Sequence, residues 1–230
     1  MVDHDLVAAI RAGLAAAADP DRAPRMQAYM KSSMPYRGVA SAGVGAVCRA
    51  AFAAHPLAGF DSWHATCLEL WRGAAFREER YAAIALTGDR RYREHQGPAA
   101  LPMYEEFIVD GAWWDHVDEV AVNRIGPLLL THRGTLRPML LTWSSVPDMW
   151  RRRASIIAQV GLKRAVDTDL LRACIDPNLA DREFFIRKAI GWALRSYAWA
   201  EPVWVRSYVG ENEARLSGLS RREALKNIGA

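Results

Sequence analysis

Strand-like alternation is almost missing from this chain. None of its 230 residues falls in a sustained polar–apolar alternation built on β-branched side chains, which argues against a β or α/β fold. Cysteine is scarce: Cys48, Cys67 and Cys174 lie far apart with no C-x-x-C spacing, so a disulfide scaffold and a zinc ribbon are both excluded, and three reduced, buried thiols are expected. The six histidines, at 4, 55, 64, 95, 116 and 132, include no i, i+4 pair, and none stands at ligand spacing from a cysteine. No metal and no cofactor is therefore expected. Lysine occurs only at 31, 163, 188 and 226. Long apolar runs are missing too: Gly38 to Cys48 is uncharged but far too short to span a bilayer. The start, Met1-Val2-Asp3-His4-Asp5, is acidic where a secretion signal is basic, so a cytoplasmic place is expected. No Ser/Gly-rich linker or low-complexity tract divides the chain, and one domain over residues 1–230 is expected.

What is present is helical periodicity. Leu6, Ile10, Leu14 and Ala17 mark one face of an opening helix, which Asp19-Pro20-Asp21 ends. A second helix is expected from Met26 to Lys31, and others near Val44 to Ala54, Ser62 to Arg72 with Asp61 or Ser62 as cap, and Glu78 to Leu86. After the Gly97-Pro98 break, Tyr104, Phe107 and Ile108 should point inward. A long helix from Trp114 to Leu130 carries Val117, Val120, Ala121 and Ile125 on its buried face and leaves Asp118 on its flank. Gly134 and Pro138 mark the next pair of helices. Pro147 would open an Arg-rich helix at its first turn, Asp176-Pro177 would close another, and Ser220-Arg221-Arg222-Glu223 reads as a capping box.

Three of these helical segments echo one another. Trp113-Trp114-Asp115-His116-Val117-Asp118, Met149-Trp150-Arg151-Arg152-Arg153-Ala154 and Phe184-Phe185-Ile186-Arg187-Lys188-Ala189 put Asp118, Arg153 and Lys188 at one position of successive units, 35 residues apart, with Tyr81 37 residues before Asp118. A period of about 36 is that of a helical-repeat array, in which equivalent positions line up on one face. An Asp, an Arg and a Lys would then form a row, with Trp114 one turn before the Asp and Trp192 one turn after the Lys. Such a row suits a polyanion that carries a positive charge at one point, as damaged DNA does. Net charge adds little, being only +4, and the excess of Arg over Lys goes with abundant Ala, as in GC-rich coding.

These strings carry a family resemblance. Together with Met26 to Lys31, the continuation Ile190-Gly191-Trp192-Ala193-Leu194-Arg195, and Leu219 to Ala224, they make most of the chain resemble the AlkD-like DNA alkylation repair glycosylases. The resemblance implies an all-α, HEAT-like helical-repeat solenoid of stacked antiparallel helix pairs with a concave DNA-binding face. It also implies a monomeric, monofunctional enzyme that excises N3- or N7-alkylated purines from duplex DNA without flipping the base. Position by position it places the catalytic Asp at Asp118, sugar-facing indoles at Trp114 and Trp192, and a backbone-contacting Arg at Arg153, with Tyr29 and Arg195 at further DNA-facing positions. Charge placement adds Arg151, Arg152, Arg187 and Lys188 to the residues expected to bind DNA. In one place the chain departs from the pattern: where the family has a Pro and two Arg after Gly38-Val39, this sequence has Ala40-Ser41-Ala42-Gly43, so two cations are missing.

Blander accounts exist for each residue. Asp118 and Arg153 could be an inter-repeat ion pair worth about 0–1 kcal/mol. The indoles taken alone would be core, and three consecutive Arg span too wide an arc for one phosphate. A non-catalytic lesion- or DNA-structure-binding protein of the same fold, or a protein-binding scaffold, are the alternatives.

Overall fold

The computed structural model describes residues 1–228, and among these every regular element is helical. The fold class is the expected all-α, helical-repeat one. The chain forms two compact units, Met1–Met103 and Tyr104–Ala230.

The first unit holds α1 (His4–Ala16), α2 (Ala23–Met30), α3 (Ser41–Ala54), α4 (Phe60–Arg72) and α5 (Arg77–Thr87), followed by 3-10 turns at Arg90–His95 and Pro98–Ala100. Asp3 caps α1 by accepting from the Leu6 N–H at 2.8 Å, and Leu6, Ile10 and Leu14 are fully buried. Ala17, expected on that face, is the exposed C-cap, and Val7 is buried instead, because the apolar stripe follows the helix only as far as the helix runs. Neither Asp61 nor Ser62 caps α4. Gly59 does so, in a backbone conformation (φ 140°) that glycine reaches freely, which puts Asp61 inside the first turn. Glu78, wholly buried at the start of α5, accepts from the backbone N–H groups of Arg37, Gly38 and Val39. Gly38 (φ 83°) passes so near the Asp19 carbonyl that a Cβ would lie 2.0 Å from it. The loop leading into α3 is thus held by a carboxylate. Where the family resemblance leads one to expect a basic pair, α3 begins on Ala40 and Ser41 without a side-chain cap.

The second unit follows α6 (Leu101–Gly111), which opens at the boundary and buries Tyr104, Phe107 and Ile108 as expected. Its later helices are α7 (Trp114–Val120), α8 (Gly126–Thr131), α9 (Arg133–Trp143), α10 (Met149–Ile157), α11 (Thr168–Ile175), α12 (Phe184–Ala198), α13 (Pro202–Glu211) and α14 (Gly218–Leu225). The α7–α8 stretch is the expected long helix, with Val117, Val120, Ala121 and Ile125 fully buried, but Ala121–Ile125 is a turn of π-helix. Pro127 explains it: it has no N–H to give, and the ladder rearranges just before it, with the Gly126 N–H reaching the Ala121 carbonyl. Gly126 also lies against α10, where a Cβ would come 2.4 Å from the Ala158 carbonyl oxygen.

In this unit two further helix starts fall elsewhere than expected. Asp148, not Pro147, opens α10, because its carboxylate can accept from the Arg151 N–H at 2.7 Å and a proline side chain cannot. Ser217, not Ser220, caps α14. Ser220 is then free to donate its hydroxyl to the Arg187 carbonyl at 3.0 Å, and Glu223 faces α12. In this unit α10 packs against α7, α9, α11 and α12, and α12 packs against α10, α13 and α14.

Candidate functional site

Asp118 is placed by the opposite face of its own helix. With His116, Val117, Val120 and Ala121 buried, Trp114 and Asp118, one turn apart, are left half-buried on the flank. On α10, the Asp148 cap and the buried Trp150, Ala154 and Ile157 bring Arg153 to the facing side, where it is only 5% exposed. Its Nε donates to Asp118 Oδ1 and its Nη2 to Oδ2, each at 2.7 Å, while Nη1 donates to the Phe185 carbonyl at 2.6 Å. One guanidinium therefore ties α7, α10 and the start of α12 together. Parallel paired bonds of this length are the geometry of an ionised carboxylate on a guanidinium. Burial pushes the Asp118 carboxyl up from its ordinary 3.8, the Arg153 contact pulls it back, and the neighbouring Asp115 raises it further.

The donors and acceptors left over define what the pair can do. Three of the five guanidinium N–H groups of Arg153 are engaged, so it meets Asp118 first, and a phosphate could be met only by what remains. A carboxylate accepts about four hydrogen bonds, and Arg153 uses two of those sites. Asp118 is thus a fixed anion with capacity left for a water or a nearby cation.

An aromatic cluster stands beside the pair. Phe185 lies with its ring centroid 5.3 Å from Trp113 and 5.1 Å from Trp150, and the Arg153 guanidinium sits 5.9 Å above the Phe185 ring. Trp113 and its neighbour Trp114 are placed differently: Trp113 is the extended N-cap of α7 and joins the cluster, while Trp114 begins the helix. The turn before them contains Ala112 at φ 38°, a left-handed conformation that costs an L-residue about 1–2 kcal/mol. Phe185 was missed as a site residue in the sequence. Its signal was the aromatic pair opening the third repeat.

Along α12 and its C-cap, Phe185, Lys188, Trp192, Arg195 and Trp199 follow one another at steps of 3, 4, 3 and 4, which makes a single stripe. The first four are half-buried and Trp199 is 75% exposed, so this indole extends the stripe beyond the residues the sequence singled out. The cations are mostly not bare. Lys188 reaches Glu223 at 3.0 Å and Arg195 reaches the same carboxylate. Arg151 pairs with Glu105 at 2.7 Å. Arg152 pairs with Asp181 at 3.0 Å and also donates to the Val146 and Pro147 carbonyls. Arg187 is half-buried, with its carbonyl engaged by Ser220. The structure thus joins Asp118 directly to Arg153, and Lys188 to Arg195 through Glu223. Tyr29 is 76% exposed on α2, in the first unit. Glu223 was legible too, since it stands 35 residues after Lys188, continuing the interval of Asp118, Arg153 and Lys188. Among the described residues no group of three His, Cys, Asp or Glu is arranged to hold a metal ion.

The family model of the DNA alkylation repair enzymes matches residues 10–228, nearly the whole chain. The chain belongs to the DNA alkylation repair enzyme family. A solved structure described as a predicted DNA alkylation repair enzyme from Enterococcus faecalis is similar to it, with a TM-score of 0.81 and 27% sequence identity over 92% of this chain and 96% of that one. Among curated proteins nothing matches. For an alkylation repair enzyme the partner is DNA, and the stripe of cations and indoles on α12 is chemistry that a nucleic acid backbone accepts.

Proposed function

We propose that this alkylation repair enzyme is a monofunctional glycosylase that removes N3- or N7-alkylated purines from duplex DNA. The observation that carries the reading is the carboxylate of Asp118, held at both oxygens by a buried Arg153 and flanked by half-buried Trp114. An alkylated purine is already cationic. When its bond to C1′ breaks, the electron pair goes to the base, which leaves neutral, and positive charge develops on the sugar. Glycosidases acting on neutral leaving groups need a second carboxyl to protonate the leaving atom. A cationic base removes that need, and one fixed carboxylate suffices.

Asp118 stabilises the sugar cation and orients the water that adds to C1′, while its own position is fixed in advance by Arg153, so no reorganisation is needed during bond cleavage. Trp114 and Trp192 offer ring faces to the deoxyribose, worth about 0.5–2 kcal/mol each against a developing cation. Arg153 acts chiefly through Asp118, and its remaining N–H groups serve the lesion-strand phosphate. Recognition through the backbone, with no base pocket, leaves room for bulky adducts.

The clamped state of Asp118 favours a second reading, in which the pair is structural and the protein binds lesions without cutting. The two are separated by measuring release of free base from a duplex with a single N7-methylguanine, with wild type and Asp118→Asn side by side. Release by the wild type alone is expected. Equal release by both removes Asp118 from the chemistry, and tight binding without release by either favours the non-catalytic protein.

A further inference from the structure

The Lys188–Glu223–Arg195 triad is not explained by base excision. Two cations expected to meet DNA share one carboxylate that comes from a different helix, and the approach that allows this is unusually close. A Cβ on Gly191, one turn from both cations, would lie 2.5 Å from Glu223 Cβ, so glycine is what lets α14 bring its acid onto the α12 stripe. The Lys188 hydrogen bond, followed by the charges of Lys188 and Arg195, holds the Glu223 carboxyl below its ordinary value against some burial. An acid set there opposes binding of the DNA backbone.

We propose that Glu223 is a built-in competitor for the DNA backbone: a phosphate displaces it from Lys188, while Arg195 keeps it in place. This deepens the reading of the α12 stripe as a DNA-facing surface and rests on DNA binding, not on excision. Lys188 is the exchangeable partner for two reasons. Its side chain is 38% exposed against 26% for Arg195, and an ammonium on a flexible stem turns to a new acceptor with less loss than a planar guanidinium. The exchange is nearly isoelectrostatic for Lys188, which trades one oxyanion for another. The Glu223 charge left behind, shared only with Arg195, takes up a cation from solution. That uptake offsets part of the counterion release from DNA, so the salt dependence of binding is shallower than the number of cations on the stripe would give. The device lets the protein leave undamaged DNA and move on, since each phosphate contact is opposed by an acid ready to reclaim the lysine.

The test is binding of an undamaged duplex across a salt series, with wild type, Glu223→Gln, Lys188→Ala and the double variant. Gln keeps the shape and a carbonyl acceptor but not the charge. Glu223→Gln is expected to bind several-fold tighter at low salt, with a steeper slope of log K against log salt, by up to about 0.9 for one full contact. The gain should vanish in the double variant. Binding by Glu223→Gln no tighter than wild type, with folding confirmed by circular dichroism, overturns the competitor role. Should Glu223→Gln not fold, Glu223→Ala takes its place: tighter binding with a steeper slope supports the exchange, and binding no tighter than wild type overturns it. Absence of salt-dependent binding by the wild type would overturn the DNA-facing surface itself, a different failure from DNA binding without base release, which touches only the glycosylase reading.

Discussion

Asp118 and Glu223 are carboxylates in one compact unit, each with 18% of its side chain exposed, yet they are displaced in opposite directions, Asp118 upward and Glu223 downward. What separates them is which influence is largest: burial within the packed helices for Asp118, and the hydrogen bond from Lys188 for Glu223. The partner of Asp118 is itself only 6% exposed, and a second acid, Asp115, stands near. Glu223 has two cations, both still reached by solvent. A buried pair is rigid and expensive to break, because each member is costly alone. A wet triad is cheap to rearrange. The first arrangement suits a charge that must not move during a reaction, and the second suits charges that must change partners.

The largest break in this comparison should come from removing the charge of Asp118. Asp118→Asn is expected to lower the single-turnover rate of base release by about 100-fold or more, the scale of losing one preorganised electrostatic group, with DNA affinity unchanged or tighter. Glu223→Gln should leave release measurable. Comparable loss in both variants would mean that the two acids do the same job.

Stability should separate the partners in turn. Arg153→Ala leaves Asp118 buried without its cation and should cost about 3–5 kcal/mol in urea unfolding, whereas Lys188→Ala should cost about 0–1 kcal/mol, as for a solvated pair. Similar costs would remove the distinction between a buried and a wet site. Glycines sharpen the same point at a smaller scale. Gly191→Ala pushes α14 from α12 and should destabilise by about 1–3 kcal/mol, while Gly134→Ala, with nothing within 4 Å of its added Cβ, should be neutral or stabilise by up to about 1 kcal/mol. Equal effects would show that the α12–α14 approach is looser than it looks.

The smallest effect is in pH. Asp118 is held above its ordinary 3.8, so its protonated form favours the folded chain: that contribution is complete below the unfolded value and is lost as pH rises through the raised one. Glu223, held below its ordinary 4.5, contributes in the opposite sense: its stability is present above that value and is lost as pH falls through the lowered one. A melting series on wild type, Asp118→Asn and Glu223→Gln, taken downward from neutral pH, should show the two variants departing from wild type with opposite slopes. On the proposed role of Asp118 as an ionised carboxylate, base release should fail on acidification at a pH above the ordinary range of an aspartate.

Much of the fold was written in periodicity. The inward faces of α1, α6 and the α7–α8 helix lie where apolar spacing put them, with Leu6, Phe107, Ile108, Val117, Val120 and Ile125 fully buried. The 35-residue interval proved informative beyond its first three members, since it reaches Glu223 as well. Helix starts were less legible. Ser220 offers a cap motif as good on paper as Ser217, and Pro147 sits as plausibly at a first turn as before a cap. Which one acts depends on the packing partner that claims the other, as Arg187 does with Ser220.

Local chemistry was enough to determine that the chain is helical, where its helices turn their apolar sides, and that an acid and two bases recur in step. It could not assign the charges to one another. Arg151, Arg152 and Arg153 are identical neighbours, yet successive residues on a helix point about 100° apart, so each meets a different element. Arg151 finds Glu105 on α6, Arg152 finds Asp181 ahead of α12, and Arg153 finds Asp118 on α7. Which of the three becomes the buried partner of the candidate catalytic acid is a matter of which direction the packed core closes over, and only the tertiary structure decides that.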